Sequence, residues 1–484
     1  MKMKKTDSNN RANRNIMLLT YTVLALFLGM MGYFGYFLQI KSEEVINSSY
    51  NARLDSFSDR VLRGRIFSSD GMVLAHTQIN AQGEEVRVYP FANIFSHVVG
   101  HSSRGKTGVE SLGNFYLLTS HVNLLEQIWD QLSGQKSPGD DLVTTLDAAL
   151  QLTAYEALGD RKGAVVALEP KTGKILAMVS KPDYDPNPAA FDAAWDALIQ
   201  AENDQGQLLN RVTQGLYPPG SIFKMVTALE AMRENPQGWQ SVSFDCAGVY
   251  SVEDYSIKCY HNNVHGLQDL GLSFANSCNG AFASLGLSLD LGAMEELSEE
   301  LLFNTELPLA LPYAQSTYKM KEGAGTWEIL QTAIGQGKTQ VTPIHMAMLT
   351  AAVANGGMLM KPYVIGQVKN GAGEEIKVFL PASAKSLMSA QEAGQLGELM
   401  TRVVTDGTGS ALRDAAYLAA GKTGSAEFET GKETHAWFTG YAPADNPKIV
   451  VTVIVEESGS GGSVAGPVAR KVFDQYLLRP GFEG

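Results

Sequence analysis

A serine and a lysine three positions apart are the first residues of this chain whose types and spacing could do chemistry. They stand in the segment Ser-Ile-Phe-Lys at 221–224. Residues three apart share one face of a helix, so the Ser221 hydroxyl and the Lys224 amine can meet. A serine becomes a good nucleophile when a base removes its proton, and a lysine can be that base if burial lowers its pKa. Alone the pair is a weak indication, because Ser-x-x-Lys occurs by chance in many chains.

A second polar segment, Ser-Cys-Asn at 277–279, follows later in the chain. The Ser277 hydroxyl can relay a proton between the lysine amine and a departing group. The Asn279 amide can both donate to and accept from a peptide substrate. The alternative is a polar turn that caps a helix, which serine and asparagine favour.

A third segment, Gly-Lys-Thr-Gly-Ser at 421–425, opens a β-like run that ends at Phe428. An edge strand can pair with an extended peptide substrate through its backbone. The side chains of Lys422 and Thr423 can bind the carboxylate of such a peptide. The segment therefore has the chemistry of a substrate-binding strand.

The backbone of the same segment adds two features. Gly424 leaves room for close approach, and the N–H of Ser425 could join that of Ser221 as an oxyanion hole. Two other copies of Lys-Thr-Gly occur, at 106–108 and 171–173, but neither has the order and the following strand of the third copy. Each motif alone is weak, whereas the ordered triple is strong.

The ordered triple resembles the signature of penicillin-binding proteins and serine β-lactamases, whose middle element is Ser-Asp-Asn. Cys278 stands here in the place of the aspartate. Past residue 40, the chain resembles a class B penicillin-binding protein over nearly its whole length. The segments that carry this resemblance are 63–66, 70–75, 105–110, 163–173, 217–224, 334–337, 405–409 and 437–441.

The resemblance implies a fold of mixed α+β and α/β class behind an N-terminal anchor. A small pedestal domain, similar to the family's dimerisation domains, is expected at residues 41–139. The penicillin-binding transpeptidase domain is expected at residues 140–484, with a central five-stranded sheet flanked by helices. β-Lactamases lack such a pedestal.

The resemblance also implies an activity and a role for each residue of the triple. The roles are nucleophile for Ser221, base for Lys224, proton relay for Ser277, substrate-amide ligand for Asn279, and carboxylate ligands for Lys422 and Thr423. The implied reaction is peptidoglycan D,D-transpeptidation between a D-Ala-D-Ala donor and an amine acceptor, through a serine acyl-enzyme that β-lactams trap. No cofactor is implied. Glycan polymerisation would fall to a separate membrane partner, because no glycosyltransferase domain fits before the pedestal.

Periodicity and turn signals predict the elements that must position these residues. Two β-rich runs at 164–168 and 175–179 flank a turn and predict a hairpin, and helical periodicity dominates from about 267 to 360. The other predictions are a strand at 143–146, helices at 148–158 and 221–232, strands at 424–428, 436–441 and 449–455, and a last helix ending near 478. Strands near both ends favour a sheet completed by distant segments.

One segment predicts the compartment. Residues 16–40 carry no charged side chain over 25 positions, about 37 Å of helix, which is enough to span a bilayer core. Five basic residues precede it in the tail, residues 1–15. Basic flanks stay in the cytoplasm, so we expect a single-pass cell-membrane protein with its catalytic domain outside. A cleaved signal peptide is disfavoured because the run is too long and lacks a small-x-small site. The net charge of −13 argues against nucleic-acid binding.

Residues 100–107 match a phosphate-binding loop pattern, and 94–99 could be the strand before it. An extracytoplasmic position disfavours a nucleotide site, because ATP is scarce there.

The cysteines allow several interpretations. Cys246, Cys259, His261 and His265 could form a metal site, but their spacing does not match a standard zinc finger, so no metal is predicted. A disulfide between Cys246 and Cys259 is favoured outside the cell, and two free thiols are the remaining interpretation. Cys278 is expected to be unpaired beside the active site.

Two rival functions remain. A membrane-anchored protein that hydrolyses or senses β-lactams would use the same chemistry. A non-catalytic scaffold of a wall-synthesis complex is a rival of a different class. The pedestal-like segments and residues 405–409 favour the transpeptidase, and the intact triple argues against an inactive enzyme.

Overall fold

The computed structural model describes residues 4–37, 60–123, 129, 132–200, 206–429 and 431–479. Its first helix is Lys4–Tyr36, and the part Arg14–Tyr36 has a mean hydropathy of 1.8 with none of that window buried against protein. Within the described ranges it is the one helix long and apolar enough to cross a membrane. The helix begins within the predicted tail instead of at residue 16, while the predicted end of the anchor, 38–40, lies outside the described residues.

The centre of the molecule is a sheet of five antiparallel strands from distant parts of the chain. In spatial order the strands are Ala420–Ala426, His435–Ala442, Ile449–Val455, Gly163–Leu168 and Ile175–Lys181. Among the described strands, Ala420–Ala426 pairs only with His435–Ala442, so it is an edge strand. The predicted five-stranded sheet flanked by helices is confirmed.

Side chains of this central sheet alternate between two hydrophobic cores. Val165 packs in a core that includes the helices Ala148–Leu158 and Ala465–Leu477. Its neighbour Val166 packs on the opposite face, in a core that includes Pro343–Ala354. Because every residue of the three inner strands is buried, both faces of the sheet are covered.

The helices cover the two faces and fill the region between the strand segments. Beyond the first, the described α-helices are Ser96–Val99, Gly108–Leu112, Asn114–Leu117, Ala148–Leu158, Pro188–Ile199, Lys224–Glu234, Leu270–Ala275, Asn279–Ser288, Leu291–Glu300, Thr326–Ala333, Pro343–Ala354, Ala390–Thr405 and Ala465–Leu477. The helical middle predicted from periodicity is confirmed by those between Leu270–Ala275 and Pro343–Ala354.

A second sheet of six strands, the pedestal sheet, joins three parts of the chain. In spatial order its strands are Glu375–Val378, Ile365–Lys369, Asp141–Thr144, Ile66–Phe67, Val73–Ile79 and Glu85–Val88. It therefore contains strands from both sides of the predicted domain division at 139/140. That division stays a prediction, and the two parts are linked by a continuous ladder at this sheet.

Residues 243–269, called the flap below, form a small unit beside the central body. Ser243–Cys246 pairs with Gly266–Asp269, and Val249–Val252 pairs with Tyr255–Lys258, both antiparallel. Most of its side chains are exposed or half-buried. The flap leads directly into the helix Leu270–Ala275.

Residues 94–99, which could have been the strand before a phosphate-binding loop, form no strand. Ala92–Phe95 is a 3₁₀ helix and Ser96–Val99 is one turn of α-helix. The strand–loop–helix frame of a phosphate-binding loop is therefore not formed around 100–107.

Candidate active site

Ser221 lies in a tight turn that runs into a helix. The turn is the 3₁₀ helix Gly220–Phe223, and the α-helix Lys224–Glu234 follows without a break. The helix predicted at 221–232 is thus divided, with the candidate nucleophile in the tighter part. Short 3₁₀ segments are common at the ends of α-helices.

Two glycines hold this turn against a neighbouring loop. Gly220 has a φ of +54°, and its N–H donates to the carbonyl oxygen of Gly335 at 2.8 Å. Gly335 has a φ of +79°, and a Cβ at that position would lie 1.9 Å from the carbonyl oxygen of Gly220. Both the backbone conformation and the close approach therefore require glycine.

The Lys224 amine is fully buried and contacts polar groups of both the Ser221 turn and the second motif. Its Nζ lies 3.1 Å from Ser221 Oγ, 2.8 Å from Asn279 Oδ1, and 2.7 Å and 3.3 Å from the carbonyl oxygen and Oγ of Ser277. Burial lowers the pKa of Lys224 to about 8. A neutral amine is therefore accessible near neutral pH.

Ser277 bridges two buried lysines. Its Oγ accepts a hydrogen bond from Lys422 Nζ at 2.9 Å, in addition to the contact with Lys224. Ser277 has a φ of +55°, an uncommon backbone conformation for a residue with a side chain. Burial, followed by repulsion from Lys224, holds the pKa of Lys422 well below its ordinary value.

Thr408 belongs to the site, although the sequence analysis used its segment, 405–409, only for the family resemblance and gave it no role in the site. Its Oγ1 lies 2.5 Å from Thr423 Oγ1, and its N–H donates to the carbonyl oxygen of Ala275 at 3.1 Å. A Cβ on the preceding Gly407 would lie 2.1 Å from the same carbonyl oxygen. The Thr-Asp-Gly-Thr-Gly run at 405–409 is the signal that could have identified it.

The edge strand Ala420–Ala426 passes directly beside the Ser221 turn. A Cβ on Gly424 would lie 3.3 Å from the backbone nitrogen of Ile222. A Cβ on Gly220 would lie 3.0 Å from the carbonyl oxygen of Ser425. The strand extends from 420 to 426, so the predicted strand end at Phe428 is two residues too long.

These groups open into a cleft of about 570 Å³. Its lining includes Ser221, Ser277, Asn279, Thr423 and Ser425, together with residues of the flap. The side chains of the two lysines are fully buried behind this lining. The structure thus brings all the residues of the predicted triple together in one place.

The three cysteines also meet, next to the second motif. Sγ of Cys259 lies 3.6 Å from Sγ of Cys246 and 3.7 Å from Sγ of Cys278. All three are free thiols, so the favoured disulfide between Cys246 and Cys259 is not formed in this structure. Cys278, expected to be unpaired beside the active site, is a free thiol that belongs to the group, as does His265, whereas His261 does not.

The chain matches known families over both of its folded parts. Residues 163–474 match the penicillin binding protein transpeptidase domain, and residues 63–142 match the penicillin binding protein A dimerisation domain. The peptidoglycan D,D-transpeptidase PbpA of Mycolicibacterium smegmatis is 32% identical over 449 residues, covering 86% of this chain and 89% of that protein. The peptidoglycan D,D-transpeptidase MrdA of Acinetobacter baumannii is 28% identical, covering 83% of this chain and 67% of that protein.

Solved structures are similar over most of the chain. Penicillin-binding protein A of Mycobacterium tuberculosis, as a ceftriaxone acyl-enzyme complex, has a TM-score of 0.79 and 30% identity, covering 88% of this chain and 100% of that one. The D,D-transpeptidase domain of a peptidoglycan glycosyltransferase from Eggerthella lenta has a TM-score of 0.77 and 31% identity, covering 87% of this chain and 99% of that one.

Proposed function

This chain belongs to the penicillin-binding protein transpeptidase family, and from that premise we propose that it is a membrane-anchored peptidoglycan D,D-transpeptidase whose nucleophile is Ser221. One observation carries the assignment of residues. The fully buried Lys224 amine lies within hydrogen-bonding distance of Ser221, Ser277 and Asn279 at once. A buried amine with a pKa near 8 is suited to take a proton from a serine hydroxyl.

Acylation uses the turn and the edge strand together. Lys224 takes the hydroxyl proton as Ser221 Oγ attacks the carbonyl carbon of the penultimate D-Ala of a donor stem peptide. The backbone N–H groups of Ser221 and Ser425 would stabilise the oxyanion that forms. The proton then passes through Ser277 to the nitrogen of the departing D-Ala as the peptide bond breaks.

Acyl transfer to an acceptor amine completes the reaction, and the same groups move protons in the opposite direction. An amine of a second stem peptide attacks the ester carbon on Ser221. Lys224 and Ser277 accept the proton of that amine and return one to Ser221 Oγ as the ester bond breaks. The product is a cross-linked peptide and a free serine.

Of the two buried lysines, only one is expected to be cationic at a time. Lys422 and Lys224 share the Ser277 hydroxyl, and burial together with mutual repulsion disfavours two cations in this space. A donor peptide brings a C-terminal carboxylate, which favours the cationic form of Lys422 with help from Thr423. A cation on Lys422 in turn favours the neutral form of Lys224. Donor binding would therefore help to produce the base.

Asn279 has two tasks in this proposal. Its Oδ1 accepts from Lys224, and its Nδ2 donates to the carbonyl oxygen of Lys258 in the flap at 2.9 Å. These bonds hold the Lys224 amine in place between Ser221 and Ser277. The same amide lines the cleft, where it can contact an amide of the donor peptide.

Membrane placement follows from the first helix. Arg14–Tyr36 can cross a bilayer, and the basic residues before it favour a cytoplasmic N-terminus. The cleft would then face the peptidoglycan outside the membrane. A separate membrane enzyme that polymerises glycan is the partner we propose, since the chain's matched regions are a dimerisation domain and a transpeptidase domain.

The proposal is tested with the full chain in detergent, supplied with nascent glycan that carries pentapeptide stems. We expect cross-linked dimers with release of one D-Ala per bond, and loss of both in Ser221→Ala. Lys319→Ala, an exposed change outside the triple, serves as the control and should retain cross-linking. Binding of glycan without any cross-linking by the wild-type chain would favour a scaffold, and rapid β-lactam turnover would favour a hydrolase.

A further inference from the structure

One carboxylate, that of Glu427, stands at the end of the substrate-binding strand. Glu427 follows the edge strand Ala420–Ala426 directly and is exposed. Side chains alternate along a strand, so position 427 continues the row of Thr423 and Ser425, and all three residues line the cleft. This row therefore presents two hydroxyl groups and then a negative charge.

The backbone of Glu427 is held by the loop that also supports the Ser221 turn. In the orientation that satisfies both groups, the Gln336 amide accepts from the Glu427 N–H and donates to the Glu427 carbonyl oxygen, both at 3.0 Å. Gln336 adjoins Gly335, whose carbonyl oxygen accepts the N–H of Gly220. Because these backbone groups are already paired, a peptide bound along the strand can contact position 427 only through the carboxylate.

The groups assigned to the donor peptide fix its direction along this strand. In the proposed acyl transfer its C-terminal carboxylate contacts Lys422 and Thr423. The carbonyl group under attack lies at the N–H of Ser425, so the rest of the stem continues toward Glu427. Positions 425 and 427 of a strand are about 6.8 Å apart, and the residue before the two D-alanines begins about 3.4 Å beyond the attacked carbonyl. Its side chain can therefore reach the carboxylate.

The charges around the cleft favour a cation at this end of the strand. Among the described residues that line the cleft, Glu427 is the one carboxylate. The basic lining residues all belong to the flap, and they are Lys258, His261 and His265. No lysine, arginine or histidine within the described ranges forms an ion pair with Glu427. A cationic group of the substrate would be its first charged partner.

We propose that Glu427 binds the side-chain ammonium group of the donor residue that precedes the two D-alanines, so that donors with this amine free are preferred. The inference rests on the proposed function, from which it takes the direction of the donor. A stem that can itself serve as an acceptor carries an amine on this residue, and a free alkyl amine is cationic at neutral pH. Glu427 thereby distinguishes a stem with a free amine from one whose amine is already acylated.

The contact is an ion pair at the mouth of the cleft, and this position determines its strength. Exposed ion pairs contribute little, while charge-assisted hydrogen bonds that lose water contribute more, so we expect a preference of about three- to tenfold. Salt weakens such a pair, because the screening length falls from about 10 Å at 0.1 M to about 3 Å at 1 M ionic strength. The preference should therefore decrease as salt is added.

The test uses two penicillins that differ by one charge. The β-lactam ring takes the place of the two D-alanines, and the acyl side chain takes the place of the residue before them. One penicillin carries an ε-aminocaproyl side chain, and the other carries the N-acetylated form of that side chain. Stopped-flow measurements on the full chain in detergent give both second-order acylation rate constants. We expect their ratio to be about three to ten in favour of the free amine, and to approach one in about 1 M salt.

Variants of two carboxylates separate this contact from the fold of the hairpin. Glu427→Gln should bring the ratio to about one, and Glu427→Lys should reverse the preference, because like charges repel. Glu433→Gln removes an exposed carboxylate of the same hairpin that is not among the cleft residues, and it should keep the wild-type ratio. A wild-type ratio near one, or a Glu427→Gln ratio equal to that of the wild type, would overturn the proposal.

The same ratio distinguishes this inference from the proposed function. It requires only acylation of Ser221, so it can be measured whether or not the chain cross-links glycan. A preference for the free amine that depends on Glu427, in a chain that forms no cross-links, would support the contact and contradict the transpeptidase. Cross-linking by a chain whose ratio is near one would contradict the contact and support the transpeptidase.

Discussion

At the scale of single residues, the site depends on where one amine is placed. Lys224 has no exposed surface, and its polar neighbours are hydroxyl, amide and carbonyl groups. Burial favours the neutral form of an amine, whereas these neighbours keep it oriented toward Ser221. The same residue type on the surface would stay protonated at neutral pH and could not act as the base.

Replacing this amine should abolish most of the chemistry. We expect Lys224→Ala to slow acylation by benzylpenicillin by about a hundred- to ten-thousand-fold, the usual contribution of a general base. Stopped-flow measurement of the second-order rate constant checks this. Lys258→Ala, which removes an exposed amine beside the cleft, is the matched control. Near wild-type acylation by Lys224→Ala would place the base elsewhere.

The pH dependence of acylation should follow the same amine. Burial lowers the pKa of Lys224 to about 8, and the neutral form is the active one. The rate constant should therefore rise by about tenfold per pH unit below that value and level off above it. In Lys224→Ala this rise should disappear. A wild-type rate that falls as pH rises from 6 to about 8 would contradict a neutral-lysine base.

The second lysine should matter most for substrates with a carboxylate. Lys422→Ala should weaken acylation by benzylpenicillin by about ten- to a hundred-fold, because a charge-assisted hydrogen bond contributes about 1.5–3 kcal/mol. The methyl ester of the same penicillin is the control, since it lacks the charge. An equal loss with acid and ester would show that Lys422 acts on the chemistry through Ser277 and not on the carboxylate.

The residues of the triple could be predicted because the three motifs occur in a fixed order and each motif contains the side chains that its chemistry needs. Thr408 and Cys278 could not be placed in the same way. Thr408 acquires its contact with Thr423 only when two distant segments meet, and Cys278 meets Cys259 only when the flap folds back. The spacing of cysteines along the chain does not predict which of them lie close together in the folded structure.

At the scale of elements, the turn before the catalytic helix is positioned by a neighbouring loop. Gly335 leaves room for the carbonyl oxygen of Gly220, and its own carbonyl accepts the Gly220 N–H. Two residues on, Gly337 also has a positive φ, but a Cβ there would meet its nearest neighbour at an ordinary 3.5 Å. A side chain at Gly337 would therefore cause backbone strain alone, whereas a side chain at Gly335 would also collide with the Gly220 carbonyl oxygen.

This pair gives a prediction for the element. Gly335→Ala and Gly337→Ala should both lower the Tm, because each puts a side chain at a positive φ, a cost of about 1–2 kcal/mol. Only Gly335→Ala should also slow acylation, by up to about a hundred-fold, since a displacement of 1 Å at the turn is enough for that. Equal acylation rates in the two variants would show that the loop does not position Ser221.

Elements with strong local signals were predicted well. The strand Ile449–Val455 and the helix Ala148–Leu158 have the predicted bounds. Residues 94–99, a possible strand before the phosphate-binding pattern, form no strand, and a short apolar run does not distinguish a strand from a helical turn. The structure forms a helical turn there, Ser96–Val99, and all four of its residues are buried. Tertiary packing outweighs the weak local preference of such a segment.

At the scale of the whole molecule, the N-terminal helix can serve as the anchor, and the sheet that carries the chemistry is built from two distant parts of the chain. The central sheet combines strands from 163–181 with strands from 420–455. The pedestal sheet likewise combines strands from 66–88 and 141–144 with strands from 365–378. Strand pairing between segments so far apart in the sequence depends on the whole chain. The sequence could therefore predict a sheet completed by distant segments, whereas it does not fix where one domain ends and the next begins.

The anchor predicts a single orientation in the membrane. A green fluorescent protein that folds only in the cytoplasm should fluoresce when fused before residue 1 and stay dark when fused after residue 484. The reason is the basic tail, since basic flanks of a membrane span favour the cytoplasmic side. Fluorescence from the C-terminal fusion alone would reverse the topology and remove the cleft from the peptidoglycan.

The most direct test of the whole proposal is a time course of protein mass after one dose of benzylpenicillin, with peptide mapping of the adduct. We predict one adduct per chain, on Ser221, that persists long after the free penicillin is removed. Among the described residues that line the cleft, the one carboxylate is the exposed Glu427, so no buried carboxylate there is placed to activate water. An adduct on Ser277 or Ser425, or return to the unmodified mass within seconds, would contradict the proposal.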